Sequence, residues 1–365
     1  MQVEVASSDL KTAVGIASRF VSRTAALEAL RGILFIAEGR TVTLRATNLE
    51  CGVEISIPAK IGDGGLVAVP GSTLSSLVSN MGGNGKVTIA TTGNLLTIKT
   101  EQASSNIKTL AHEDFPILPT VSGEHSFSVK ASEFAKTLRS VAFCASVSGI
   151  KPELQSVLVS AEAGTLSVAA TDSFRLAEKK TPLKGVEIPR LLIPIRNAAE
   201  MIRLLEDGSG ETEVYYSTDQ LSLRVKDAYF TTRLIDGTFP NYKTLLPSSY
   251  STEAVVLRED LSQALKSLSL FADSYAQVGL SVEPKKKSVT FSARNTDVGE
   301  HTAQLSAAAQ GESLEMNFNG RYIADALGSI TSESVRLGFN GVGKPLAMMP
   351  AGDTSFVYIV MPMNR

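Results

Sequence analysis

Apolar residues recur along the chain with two alternating periods. Leu10, Ala13, Val14, Ala17, Phe20 and Val21 fall at offsets 0, 3, 4, 7, 10 and 11, one stripe of a helix. The same offsets return at Phe134, Thr137, Leu138, Val141, Cys144 and Ala145, and again at Leu261, Ala264, Leu265, Leu268, Phe271 and Ala272. A short alternating segment precedes each stripe: MQVEVA, HSFSVK and STEAVVL. Alternation of this kind predicts a strand with one buried face. A second helical stripe repeats as well. Leu74, Leu77, Val78 and Met81 stand 124 positions before Ala198, Met201, Ile202 and Leu205. Ile323, Ala326, Leu327 and Ile330 carry the same offsets a third time.

Turns keep the same period. Thr47-Asn48, Thr171-Asp172 and Arg294-Asn295 each end a strand pattern, and Phe115-Pro116 recurs as Phe239-Pro240. The segments KVTIATTGNLLTIKT and TEVYYSTDQLSLRVK read as hairpins turning at Gly93-Asn94 and Thr218-Asp219, and SVEPKKKSVTF as a third with lysines at its tip. The pattern predicts an α+β fold of three homologous units, 1–121, 122–247 and 248–365, each with two helices among antiparallel strands. Such sheets leave open edges. A head-to-tail dimer would pair the two free ends and close a ring of six units.

Length and composition agree with this division. The chain has 365 residues, 43% of them hydrophobic, enough for several cores. No apolar run approaches the roughly 18–20 residues that span a bilayer, and the first twenty residues lack a signal-peptide pattern. Cys51 and Cys144 are the only two cysteines and fit neither a disulfide framework nor a zinc motif. A cytoplasmic setting is the expectation, without a membrane partner.

Signs of catalysis are sparse. His112, His125 and His301 lack metal-ligand spacing, and no serine sits in a nucleophile elbow. NMGGNGKV hints at a phosphate loop, but Val87 follows Lys86 where Ser or Thr should hold magnesium. Cys144 lies on an apolar stripe, and Glu113-Asp114 sits in a polar loop. No catalytic residue, metal or cofactor is expected.

The formal net charge of −2 excludes a protein that is basic throughout. Cations nevertheless gather on the helices: Arg19 opposite the apolar stripe, with Arg23 a turn further on and Lys11 on the flank. Lys136, Arg139, Arg196 and Arg203 follow in the second unit, with Lys266 and Arg321 in the third. They read either as solvated faces or as a sequence-independent phosphate-binding lining.

Four segments then point to a family. VAATDSFRLAEKK (168–180) resembles the Ala-Thr-Asp-x-x-Arg-Leu-Ala signature of bacterial DNA polymerase III β subunits, the sliding clamps. DGTFPNYKTLLP (236–247), FNGRYIADAL (318–327) and the final YIVMPMNR are similar to that family's Gly-x-Phe-Pro-x-Tyr, Phe-Asn-x-x-Tyr and Val-Met-Pro-Met segments. The likeness spans the whole chain. It implies three tandem clamp domains, dimerised head to tail into a ring around double-stranded DNA, with helices inside and sheets outside. It also implies a non-catalytic processivity factor that tethers the replicative polymerase. Clamp loader, repair and translesion proteins would dock through short linear motifs in a hydrophobic pocket.

Carried over by motif, that pocket comprises Thr171, Ser173, Phe174, Arg175, Leu176, Pro240, Thr244, Leu245, Asn319, Tyr322, Val360, Met361, Pro362 and Met363. Register adds Leu154, Tyr275, Pro345 and Leu346. The resemblance makes Arg23 and Arg196 DNA-facing, and Lys151 too, in a segment (KPELQS) where the family usually has arginine. Ser173-Phe174 replaces the usual Gly-His, which removes a polar handle and enlarges the apolar wall. Asn364-Arg365 replaces Arg-Leu at the terminus. Alternate residues of the terminal strand are expected to close the core; Val357, Ile359 and Met361 share one face, and the pattern leaves open which face packs inward. Two rival readings are a monomeric repeat scaffold that binds peptides without DNA, and a repeat-built enzyme using carboxylates such as Asp172.

Overall fold

The computed structural model describes residues 1–22, 24–82, 84–121, 125–147, 149 and 151–363. Arg23 and the Asn364-Arg365 end therefore lie outside the described residues. Six α-helices are present among them, two per repeat: α1 (Ser7–Ala17), α2 (Gly71–Ser79), α3 (Ala131–Ala142), α4 (Ile195–Glu206), α5 (Arg258–Leu268) and α6 (Gly320–Ala326). Each follows a strand directly, as Gln2–Ala6 runs into α1. Asp9, Glu133 and Glu259-Asp260 occupy first turns, where negative charge complements the helix dipole.

The first helix of each repeat ends sooner than its stripe predicts. α1, α3 and α5 stop at Ala17, Ala142 and Leu268, yet Phe20, Cys144 and Ala145 remain buried beyond them. The chain there tightens to i→i−3 bonds: Cys144 N–H donates to Val141 O at 2.9 Å, and Phe271 N–H to Leu268 O at 3.0 Å. A 3₁₀-like turn keeps the stripe pointing inward for a few residues without continuing the helix.

Contact density divides the chain into two compact units, Met1–Ala135 with Ala199–Leu234, and Lys136–Ala198 with Ile235–Arg365. In unit 1, one antiparallel sheet runs through Ser104–Lys108, Leu95–Lys99, Lys86–Thr92, Gln2–Ala6, Cys51–Asp63, Ala228–Arg233, Gln220–Val225, Glu211–Tyr216 and Ser126–Lys130. The long strand Cys51–Asp63 makes this continuity possible. Its end pairs with Gln2–Ala6 of the first repeat, and its start with Ala228–Arg233 of the second. Phe20 meets Phe230 edge-on at 6.0 Å between centroids, a contact worth about 0.5–1.5 kcal/mol beyond area burial.

Unit 2 holds a nine-stranded sheet and a separate four-stranded one. The nine-stranded sheet places the chain's last strand, Phe356–Val360, in its interior, between Arg175–Pro182 and Leu346–Pro350. Both faces of that strand are covered: Phe356, Tyr358, Ile359 and Val360 are buried and Val357 is half-buried. The alternate residues expected to close the core, Val357, Ile359 and Met361 on one face, are therefore joined by the opposite face, Phe356, Tyr358 and Val360, while Met361 itself is exposed. A strand covered on both sides reads as a continuous apolar run, without alternation.

The repeat extends to the cores. Leu34, Ala68 and Phe115 pack together in unit 1, and Leu158, Leu192 and Phe239 in unit 2, each pair 124 positions apart. Ala68 O accepts from Leu110 N–H at 2.8 Å, as Leu192 O does from Ile235 N–H at 2.9 Å. All three hairpins read from the sequence are present; Gly93 adopts φ 57° and Lys287 φ 52° in their turns.

Candidate functional site

The signature segment 171–176 folds as a polar turn between two strands. Thr171 Oγ1 donates to Arg175 O at 2.7 Å and accepts from Ser173 N–H at 3.2 Å. Asp172 Oδ1 accepts the amides of Phe174 and Arg175, both at 2.9 Å. The first repeat builds the same turn from Thr47 and Asn48, whose Oδ1 accepts from Glu50 and Cys51. Both turns force a left-handed residue, Leu49 at φ 73° and Ser173 at φ 79°. In the second repeat the turn delivers Arg175 inward and leaves Phe174 62% exposed.

Arg175 is the hub of unit 2. Its Nε donates to Asp172 Oδ2 at 2.9 Å and its Nη1 to Asp325 Oδ2 at 2.5 Å. Its guanidinium carbon lies 4.4 Å from the Tyr322 ring centroid and 5.6 Å from that of Phe143. The two carboxylates hold the cation against burial and keep its pKa above the ordinary arginine value. Tyr322 is placed by the start of α6, where the Asn319 side chain accepts from the amides of Arg321 at 2.9 Å and Tyr322 at 3.4 Å. Tyr358 of the terminal strand donates to Tyr322 O at 2.8 Å. The last residues are tied down in turn: Met361 N–H donates to Phe174 O at 2.9 Å, and Met363 N–H to Asn317 O at 2.8 Å.

Residues from the signature turn, α6 and the terminus thus meet within one unit. Of the candidates, Ser173, Phe174, Pro240, Thr244, Leu245, Tyr275 and Met361 are exposed, and Arg175, Asn319, Tyr322, Pro345, Pro362 and Met363 half-buried. Leu154, Thr171, Leu176, Leu346 and Val360 are buried. Thr244 and Leu245 lie in a 3₁₀ turn (Tyr242–Leu245) that Pro240 precedes, anchored by Tyr242, whose hydroxyl donates to the buried Glu178 carboxylate at 2.8 Å. Burial and that carboxylate push the Tyr242 phenol far above its ordinary value.

Asp325, Phe143, Tyr358 and Glu178 were not singled out from sequence. Phe143 carried a signal, an aromatic ring just off the α3 stripe. Asp325 carried none, because nothing in the sequence places Arg175, 150 positions earlier, beside it.

Among the cationic candidates, Lys136, Arg139, Lys151, Arg196, Arg203, Lys266 and Arg321 are exposed, and Arg19 sits at the surface with its side chain partly covered. Lys266 and Arg321 line one groove of about 550 Å³ between α5 and α6. Arg19 and Arg203 share a carboxylate, with Glu200 Oε2 3.5 Å from Arg19 Nε and Oε1 accepting from Arg203. Among the described residues, no group of three or more His, Cys, Asp or Glu could hold a metal ion, and no helix is long and apolar enough to cross a membrane.

Comparison with known proteins gives this arrangement its context. Residues 1–119, 128–241 and 243–364 match the N-terminal, central and C-terminal domain models of the DNA polymerase III beta subunit. The chain is 27% identical over 373 aligned positions to the beta sliding clamp of Synechococcus elongatus, covering 100% of this chain and 99% of that protein. It is 26% identical to the Staphylococcus aureus beta sliding clamp, covering 94% of each. The crystal structure of the Thermotoga maritima DNA polymerase III beta subunit superposes with a TM-score of 0.94 at 25% identity, covering 100% of this chain and 99% of that one. With all three domain models matched in order along its length, the chain belongs to the DNA polymerase III beta subunit family, the non-catalytic sliding clamps.

Proposed function

We propose that two copies of this chain, each of three clamp domains (1–121, 122–247 and 248–365), close head to tail into a ring around double-stranded DNA. The ring works in the cytoplasm and tethers the replicative polymerase, and it is opened by a clamp loader. Enclosure, rather than tight grip, keeps the protein on DNA, so a chain of net charge −2 suffices. The strands Ser104–Lys108 and Gly299–Ser306, each ending its sheet, supply the edges that pair across the dimer. Leu270, 70% exposed beside the stacked Phe271 and His301 rings, adds an apolar contact there. A peptide-binding scaffold that never meets DNA is not favoured.

Polymerase, clamp loader and repair proteins share one pocket, on this reading. The observation that carries it is the meeting of the signature turn with α6, through Arg175 on Tyr322 and Asp325, and with the terminal segment, through Met361 N–H on Phe174 O, with Phe174 and Met361 left accessible. Methionines suit a site that serves several partners, because their side chains repack readily. The test is binding of a fluorescent peptide from the replicative polymerase's clamp-binding tail. The Met361→Ala/Met363→Ala variant should weaken it at least tenfold while unfolding at the wild-type urea midpoint. Unchanged affinity would remove these residues from the pocket.

A further inference from the structure

Glu200 is an acid among the cations of unit 1. It stands on α4 between Arg203, one turn on, and Arg19, which comes from the first repeat. Its side chain is 18% exposed, and its two oxygens differ. Oε1 accepts from the Arg203 guanidinium. Oε2 is shielded from solvent and has no hydrogen bond among the described residues; Arg19 Nε at 3.5 Å is its counter-charge. A covered carboxylate oxygen with only a long ion pair costs stability. The α4 helix would gain its i,i+3 support from the Arg203 pair alone.

We propose that Glu200 is a positioning residue that restrains DNA affinity. By pairing with Arg19 and Arg203 it cancels one of their two charges and orients both guanidinium groups away from free engagement with phosphate. The inference rests on the DNA-encircling reading above. Each phosphate neutralised by a protein cation steepens the dependence of log K on log salt by about 0.9 and slows movement along the duplex. A ring held by enclosure gains speed from weaker charge contacts and loses nothing in retention.

The experiment measures anisotropy of a labelled linear duplex across a salt series, comparing wild type, Glu200→Gln and Glu38→Gln. Glu38→Gln makes the same charge change at an exposed strand end. Glu200→Gln keeps an acceptor for Arg203 but frees one positive charge. Its salt slope should steepen by about 0.9, so that its affinity advantage over wild type grows about three- to fourfold on going from 200 to 50 mM salt. Glu38→Gln should match wild type. Arg19→Gln, made in otherwise wild-type protein, removes the one charge of the trio that Glu200 leaves uncancelled and should flatten the slope by about 0.9. In Glu200→Gln it should cancel the gain. Equal slopes for Glu200→Gln and wild type, or for Arg19→Gln and wild type, would overturn the proposal. Wild type that leaves a closed circle as fast as a linear duplex would count against encirclement instead, since the anisotropy comparison reads charge and needs no closed ring.

Discussion

The guanidinium of Arg175 lies 4.4 Å above the ring of Tyr322, 147 positions later in the chain. Two carboxylates fix it there, from Asp172 at 2.9 Å and Asp325 at 2.5 Å. Lysine carries the charge but neither the planar stack nor the fork that reaches two acids at once. Arg175→Lys should lower stability by about 1.5–3 kcal/mol, the worth of hydrogen bonds to charged groups, and weaken the polymerase-tail peptide severalfold. Urea unfolding and peptide titration check both. An unchanged peptide affinity would show that Arg175 only braces the fold.

Ser173 occupies the left-handed region at φ 79°. A side chain there costs about 1–2 kcal/mol, partly offset in any glycine variant by greater freedom of the unfolded chain. Ser173→Gly should therefore stabilise by about 0.5–1 kcal/mol, seen as a higher urea midpoint. Leu49→Gly tests the same strain in the first repeat, where φ is 73°.

Much of the architecture was legible in the sequence because it is written three times. Two helical stripes, three hairpin turns and the Phe-Pro pairs gave the repeat, and cores spaced by 124 residues repeat with it. The helix ends were not legible: Phe20, Cys144 and Ala145 are buried as a helical stripe would be, but through 3₁₀-like turns. Neither were the partners of Arg175. Asp325 and Phe143 reach it from elements far apart in sequence, and an acid or a phenyl ring carries no mark of its distant neighbour. The terminal strand misled for a different reason, because burial on both faces erases the alternation that identifies a face.

Alkaline pH should destabilise the protein through its buried neutral acids. Burial pushes the Cys51 thiol up to about 12 and the Cys144 thiol well above its ordinary value. Burial also raises the Tyr242 and Tyr358 phenols. For an acid raised in the fold, both states stay protonated at low pH and the group has no effect. As pH climbs past the unfolded values, about 8.5 for thiols and about 10 for phenols, only the unfolded chain releases its proton. Stability then falls by up to about 1.4 kcal/mol per pH unit per group. Urea midpoints should be flat from pH 7 to 8, then decline. Cys51→Ala should reduce the early part of the decline, and Tyr242→Phe the part above pH 10. Equal slopes in variant and wild type would contradict the assignment.

Leu270 is 70% exposed next to the sheet-ending strand Gly299–Ser306. A charge at the centre of an apolar contact between subunits would be stranded without a partner. Leu270→Asp should shift the molecular mass measured by light scattering at micromolar concentration from dimer toward monomer. Its circular dichroism should remain that of the folded protein. A dimer as strong as wild type would place the joint elsewhere.

Encirclement is tested most directly by retention on DNA of two topologies. Labelled protein, placed on a nicked circular plasmid by the clamp loader, is passed through a gel-filtration column before and after a single restriction cut. The account predicts that protein stays with the circle through the column at moderate salt and is lost within minutes of linearisation. Equal retention on both, or release from both at one rate, would contradict it.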